Sequence, residues 1–379
     1  MNTPPRILLG QLSCNGDILY ATAVARQIKQ DYPGCHLTWA VSSAYRRVLD
    51  GNPLVDEVWE IPANSRAEIE PLWPGFAHEA YERKRRGEFD EVFLTQVNPD
   101  NYKNFDGTVR ASIFRGYPRP ITVPVTPVLR LFPEEVERVR DFVTRTGFMS
   151  AKYRVLFESA STSNQSFVTP DFAIETAKAV LHQVPAAAFV LSSNIRVESS
   201  DPRIIDGSVV RFRENAELTK YCTLLVGCSS GVTWISTSDW ATPLPMIQLL
   251  KRGTSVFASV LHDAEYFGLP TESILEMTDC TPEHLAACIA AALTEGFPAA
   301  KARFHERIPV FLDFYFFTFI RAQLIAMRPF TILSSIRHVY RRYGIRPFVR
   351  FLKEIVLRLP RLLARSNHSV ESSLLDKDS

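Results

Sequence analysis

Three observations predict an α/β fold of two doubly wound domains facing a cleft, with a basic amphipathic helical tail behind them. Short apolar runs alternate with helical patterns from the N-terminus onward, as in a parallel sheet covered by helices. The alternation stops at a proline-rich stretch, Arg119 to Pro133, and then starts again. From Arg328 onward, apolar residues are interleaved with arginines instead. The boundaries that follow are 1–125 and 126–300 for the two domains, 301–365 for a crossing helix and the tail, and 366–379 for a disordered end.

The first run, Ile7-Leu8-Leu9, reads as a buried strand, and the polar elbow Ser13-Cys14-Asn15-Gly16-Asp17 follows it. Ile18, Ala21, Ala25, Ile28 and Tyr32 then recur at spacings of three, four, three and four, one face of a helix that Pro33-Gly34 stops. His36 to Val41 is a second strand, Ala44 to Leu49 a short helix, Asp50 to Pro53 a turn and Glu57 to Ile61 a third strand. Glu79 to Arg86 is a charged helix, Phe89 to Leu94 a fourth strand and Val109 to Arg115 a helix. Arg119 to Pro133 holds four prolines without periodicity and reads as the interdomain linker.

Glu134 to Thr146 leads into the second half as a helix. Tyr153 to Phe157 is a strand, Ser159 to Thr169 a polar loop, and Asp171 to His182 a helix that Pro170 starts. Ala187 to Leu191 is a strand, Glu214 to Tyr221 a helix, and Thr223 to Gly227 a strand that runs into Cys228-Ser229-Ser230-Gly231. Val232 to Ser238 is a helix, Leu244 to Leu249 a strand, Pro282 to Leu293 an alanine-rich helix, and Arg303 to Met327 a long helix.

At 379 residues, 46% hydrophobic and 22% charged, the chain has the composition of a globular protein with room for two domains. The six cysteines show neither a CxxC pair nor zinc spacing, and several lie in apolar runs, which favours reduced thiols and a cytosolic compartment. Asn15 and Asp17 interrupt the first apolar run too early for a signal peptide. No run of about twenty apolar residues is free of charge. The eight histidines form no metal-like spacing.

Ligands in doubly wound domains sit at the carboxyl ends of the strands, which singles out three turns. In the first, Gly16 allows close approach to a ligand, Asn15 lies beside it, and Asp17 can act as a general base on a hydroxyl. The alternative is that Asp17 is only the N-cap of its helix. The second turn, Ser229-Ser230-Gly231-Val232-Thr233, offers amides and hydroxyls to phosphates, or is a plain strand-to-helix turn. It is neither a Walker loop nor GxGxxG. The third, with Ser159, Ser161 and Thr162, can wrap a diphosphate or be an ordinary surface loop. Cys228 has no histidine close in sequence and no GxSxG context to make it a nucleophile.

Ser13-Cys14-Asn15-Gly16-Asp17, the tryptophan strand Leu37-Thr38-Trp39 and the stretch Gly51-Asn52-Pro53-Leu54-Val55-Asp56-Glu57-Val58 resemble, in order, the N-terminal half of glycosyltransferase family nine, the bacterial lipopolysaccharide heptosyltransferases. The resemblance spans roughly residues 6 to 295. It implies the GT-B architecture, with the acceptor on the first domain and the nucleotide-sugar on the second. It also implies inverting, metal-independent transfer with Asp17 as the base and no cofactor besides the nucleotide-sugar substrate. Where the family motif reads Asp-Ser/Thr-Gly-x-x-His, this chain has Ser229-Ser230-Gly231-Val232-Thr233-Trp234, and the family's loop lysine has no counterpart in 159–169. The middle of the second domain has no obvious match for the family's ribose-binding glutamate; Asn194 and Glu198 are the candidates, and Thr233 joins Asn194 as a nucleotide contact. The donor sugar and its nucleotide stay open.

From Arg328 to Arg365 ten Arg or Lys face one acid, Glu354, a net +9 within a whole-chain charge of +2, so the remainder carries about −7. A basic amphipathic stretch of this kind can lie on an anionic membrane. The alternatives are packing on its own protein and a dimer contact. Large aliphatic residues between the arginines argue against nucleic acid. The expected function is therefore sugar transfer to a lipopolysaccharide-type or other cell-surface glycan, at the inner face of the cytoplasmic membrane. A protein of the same fold that only binds or scaffolds is the rival, and a nucleotide-sugar epimerase a third possibility.

Overall fold

The computed structural model describes residues 3–97, 101, 104, 108–160, 165–252 and 258–308, and beyond these residues 320, 332, 333, 336, 337, 340, 341, 344, 345, 348, 349, 352, 353 and 356. The chain divides into two compact units, Met1–Val310 and Phe311–Ser379. Both sheets lie in the first.

The first half runs β1 (Arg6–Gly10), α1 (Asn15–Asp31), β2 (His36–Ser42), a 3₁₀ turn at Arg46–Leu49, β3 (Glu57–Ile61), α2 (Arg66–Arg85), β4 (Glu91–Leu94) and α3 (Arg110–Phe114). Its four strands are all parallel, in the order β3-β2-β1-β4. An extended segment then leads to α4 (Pro133–Arg145).

The second half runs β5 (Tyr153–Glu158), α5 (Pro170–Gln183), β6 (Ala187–Ser192), β7 (Ile204–Asp206), α6 (Glu214–Leu218), β8 (Leu224–Gly227), α7 (Gly231–Ile235), β9 (Met246–Leu250), α8 (Val260–Tyr266), β10 (Ile274–Thr278), α9 (Pro282–Thr294) and α10 (Phe297–Phe304). Its six strands are also parallel, in the order β10-β9-β8-β5-β6-β7. The strand order reverses at one pair in each sheet, β1/β4 at the edge of the first and β5/β8 at the centre of the second. The crevice outside the carboxyl ends of such a pair is where ligands bind in these folds.

Five elements depart from the sequence expectation. The helix expected over 79–86 begins thirteen residues earlier, at Arg66, and carries Pro71 and Pro74 inside it. Ile69, Trp73, Phe76 and Ala80, at spacings of four, three and four, form its buried face, and that packing outweighs the two missing backbone donors. β7, α8 and β10 were not anticipated. β10 is hidden by Glu276, a buried carboxylate in the middle of the strand. The helix expected from Arg303 stops at Phe304, because His305 turns to extended backbone (φ −69°, ψ 126°), and residues 309–319 lie outside those described.

Two buried arginines join the halves of the first unit. Arg213, just before α6, uses all five N–H donors. It reaches the carbonyls of Arg47 (3.0 Å), Asp50 (2.5 Å) and Arg130 (2.5 Å) and both carboxylate oxygens of Glu135 (2.9 and 2.8 Å). Asp239 adds to this side, accepting from the Leu129 amide (3.0 Å) and from Arg130 (2.9 Å). Arg110 on α3 ion-pairs with Asp263 on α8 at 3.3 Å, its guanidinium over the rings of Tyr20 (4.6 Å), Trp234 (5.4 Å) and Phe267 (5.6 Å).

Candidate active site

The turn after β1 is built around its backbone. Cys14 is the residue before α1 and takes a left-handed conformation (φ 68°) without capping the helix through its side chain. Asp17 is the third residue of α1, so the N-cap alternative does not hold, and its carboxylate accepts no hydrogen bond from a described residue. The loop behind it is held by Gln96, just past β4, whose Oε1 accepts from the amides of Leu12 (2.9 Å) and Ser13 (3.0 Å). Asp17 therefore stands beyond the carboxyl end of β1, where the strand order of the first sheet reverses between β1 and β4. Desolvation pushes its carboxyl from the usual 3.8 up to about 7, although Arg66 pulls the other way.

The turn after β8 faces it. A Cβ on Gly16 would lie 3.5 Å from the Trp234 ring, and Trp234 meets Tyr20 edge to face with centroids 4.8 Å apart. Among the described residues, two of the three non-glycine residues with left-handed backbone are Cys14 and Ser229 (φ 50°), one in each turn. Strain of this sort costs about 1–3 kcal/mol and tends to persist where function needs the geometry. The two turns that the sequence singled out are thus brought together across the halves.

The interior of the second turn is already occupied. Glu158, the last residue of β5, is buried, and its carboxylate accepts from the Cys228 amide (2.7 Å), the Val232 amide (3.1 Å), the Thr233 hydroxyl (2.8 Å) and the Ser230 hydroxyl. Gln248 on β9 accepts from the Ser229 amide at 3.1 Å. Gly227 must be glycine, since a Cβ there would lie 2.3 Å from the Thr233 hydroxyl and 2.5 Å from Gln248. The Glu158 side chain thus fills the turn across the central β5/β8 pair, in a place where doubly wound folds admit a ligand.

The other singled-out residues divide by exposure. Ser229 is buried, and its hydroxyl donates to the Ala258 carbonyl. Ser159 is buried, and its hydroxyl donates to the Ser192 carbonyl at 3.1 Å. Thr233 is buried with its hydroxyl on Glu158. As free hydroxyl donors to a ligand these three are corrected: each side chain is committed inside the fold. Asn15, Gly16, Ser230 and Gly231 are partly exposed. Asn194 is exposed beyond β6, and Glu198 ion-pairs with Arg196 at 3.5 Å. Ser161 and Thr162 lie outside the described residues. Sequence reasoning did not find Glu158, Gln248 or Arg110. A charged residue closing the apolar run Tyr153 to Phe157 was the available signal for the first.

Comparison with solved structures places this geometry. A glycosyltransferase of family 9 from Veillonella parvula is 13% identical to this chain, with a TM-score of 0.53, over 79% of this chain and 94% of that one. The ADP-heptose LPS heptosyltransferase II of E. coli is also 13% identical, with a TM-score of 0.51, over 76% of this chain and 99% of that one. The chain has the GT-B fold. No family model matches the sequence, and no curated protein matches it either. At this identity the likeness is one of architecture. Within the GT-B fold, the Asp17 turn belongs to the first half and the Glu158-filled turn to the second.

Proposed function

We propose that this chain is a glycosyltransferase that moves a sugar from a nucleotide-sugar donor to a hydroxyl of a lipopolysaccharide-type or other cell-surface glycan, with inversion and without a metal. The observation that carries the reading is the Asp17 carboxyl, which has no hydrogen-bond partner among the described residues and sits opposite the second half's turn. Its proton affinity near neutrality suits a general base. The acceptor oxygen gives its proton to Asp17 as it attacks the anomeric carbon, and the bond from that carbon to the diphosphate breaks. We assign the leaving diphosphate to the partly exposed backbone of Ser230 and Gly231, whose amides can stabilise the charge that develops. Asn15 and Gly16 would border the acceptor. Two of the solved structures that share the fold, a family 9 glycosyltransferase and an ADP-heptose heptosyltransferase, support the class and leave the donor open.

One observation favours a second reading. Glu158 holds hydroxyls and amides that a donor phosphate would use, so a protein that keeps the fold without transferring sugar is the rival. A panel of nucleoside diphosphates and their sugars separates the two by thermal shift and by release of the free diphosphate. The transferase reading expects one nucleotide family to raise the melting temperature of both the wild type and Asp17→Asn. It also expects diphosphate release to fall by roughly a hundredfold or more in the variant. A folded wild type that no nucleotide shifts would reject it in favour of the rival.

A further inference from the structure

The second compact unit carries a surface that sugar transfer does not use. Its described residues from 332 to 341 and from 348 to 356 are helical. Gly344 separates them in a left-handed conformation (φ 69°), its amide donating to the Tyr340 carbonyl at 2.9 Å, as a helix-ending glycine does. The rings of Tyr340 and Phe348 meet across this turn at 6.3 Å. Leu333 and Tyr340, seven residues apart, share one side of the first segment. Ile345, Val349, Leu352 and Val356, at spacings of four, three and four, share one side of the second. All six side chains are between 58% and 69% exposed. Six large apolar groups left in water on two short segments form a patch that monomeric proteins rarely leave uncovered.

Charge says what would cover it. Arg337 lies one turn along from Leu333, Arg341 next to Tyr340 and Lys353 next to Leu352; all three are exposed. The sequence around them, 328–365, carries a net +9. A protein partner would match the apolar stripe or the positive charge, but an anionic lipid surface matches both, because headgroups meet the cations while the stripe enters the acyl boundary. Among the described residues no helix is long and apolar enough to cross a membrane.

We propose that the stripe Leu333, Tyr340, Ile345, Val349, Leu352 and Val356, flanked by Arg337, Arg341 and Lys353, is a docking surface for an anionic lipid bilayer. The surface is independent of the assignment of Asp17 or of any donor.

The test is flotation of the full chain with vesicles of phosphatidylcholine alone and of phosphatidylcholine mixed with phosphatidylglycerol. The protein floats with the mixed vesicles and not with the neutral ones, and salt weakens the association. Arg337→Gln with Arg341→Gln reduces partitioning roughly thirtyfold, as expected for two charges near an anionic surface. Val349→Asp with Leu352→Asp abolishes it. Because these positions are exposed, the variants keep the circular dichroism and melting temperature of the wild type, which separates lost docking from lost folding. Equal partitioning to neutral and anionic vesicles overturns the proposal, as does no flotation at all. Concentration-dependent dimers by light scattering that Val349→Asp with Leu352→Asp dissolves, without flotation of the wild type, would overturn it too and make the stripe a contact between copies.

Discussion

Asp17 has a pH signature that can be worked out in sign. Its folded value of about 7 lies above its ordinary 3.8, so the native state holds the proton more tightly than the unfolded chain does. The stability this contributes is complete below about pH 4 and is lost as pH rises toward 7. Asp17→Asn should therefore melt at the same temperature as the wild type in acid and at a higher one above pH 7. The gain is up to about 4 kcal/mol if the desolvation is fully realised. Under the proposed transfer, activity should run the opposite way, rising through pH 7 as the carboxylate forms. Parallel melts and rate profiles from pH 4 to 9 check both; a variant less stable than the wild type above pH 7 would give Asp17 a structural role instead. Asp17 was legible because it ends a short polar elbow between a strand and a helix. Glu158 was not. A glutamate after an apolar strand looks like an ordinary solvated end, and the donors that bury it, Cys228 to Thr233, arrive seventy residues later. Trp234 was legible as a departure from the family motif, but its contact with Gly16 and Tyr20 belongs to the tertiary structure.

Elements were readable where the pattern is local. β1 to β4, α5 and α9 follow from runs of apolar residues, helical spacing and proline starts, and the structure keeps them within a few residues. α2 shows where local rules lose. Two prolines argue against a helix, while acidic residues near its start and one buried face with Trp73 at its centre argue for it. The face decides, so the helix should depend on it. Trp73→Ala should cost about 3–5 kcal/mol in unfolding free energy by chemical denaturation, the range for removing a large buried aromatic. A loss below about 1 kcal/mol would mean that α2 is held by something other than its buried face. The missed β7 is three residues long, and the missed β10 carries a buried Glu276 whose carboxylate accepts from the Ser259 hydroxyl (2.9 Å) and the Leu261 amide (3.0 Å) at the start of α8. A charged residue that serves a helix across the fold leaves no mark in its own segment.

At the scale of the molecule, two tandem sheets were legible from the restart of the pattern after the proline-rich stretch. How the halves hold each other was not, because Arg213 looks like any surface arginine in sequence. Its five donors all have partners, two of them the oxygens of Glu135, which Arg213→Ala would leave buried with the Phe132 amide (2.8 Å) as their remaining hydrogen-bond donor. The expected loss is about 3–5 kcal/mol. Arg213→Lys should restore little of it, because an ammonium cannot reproduce the planar fork. Denaturation followed at both near- and far-ultraviolet wavelengths would show one transition in the wild type and two separated ones in Arg213→Ala, as each sheet unfolds by itself. A single unshifted transition in the variant would show that the other contacts between the halves suffice.

The same fastening governs how a ligand gets in. Two-lobed binding proteins commonly swing shut about a hinge of a few pliant residues. Here the backbone of the connecting segment is itself clasped, at Leu129 and Arg130, while Arg110 and Asp263 tie the lobes at a second place. With no slack at either, access falls to side chains such as Trp234 and to the loops rather than to a swing of whole lobes. The radius of gyration measured by X-ray scattering should then be the same with and without a bound nucleotide. A contraction on binding would mean that one of these ties opens.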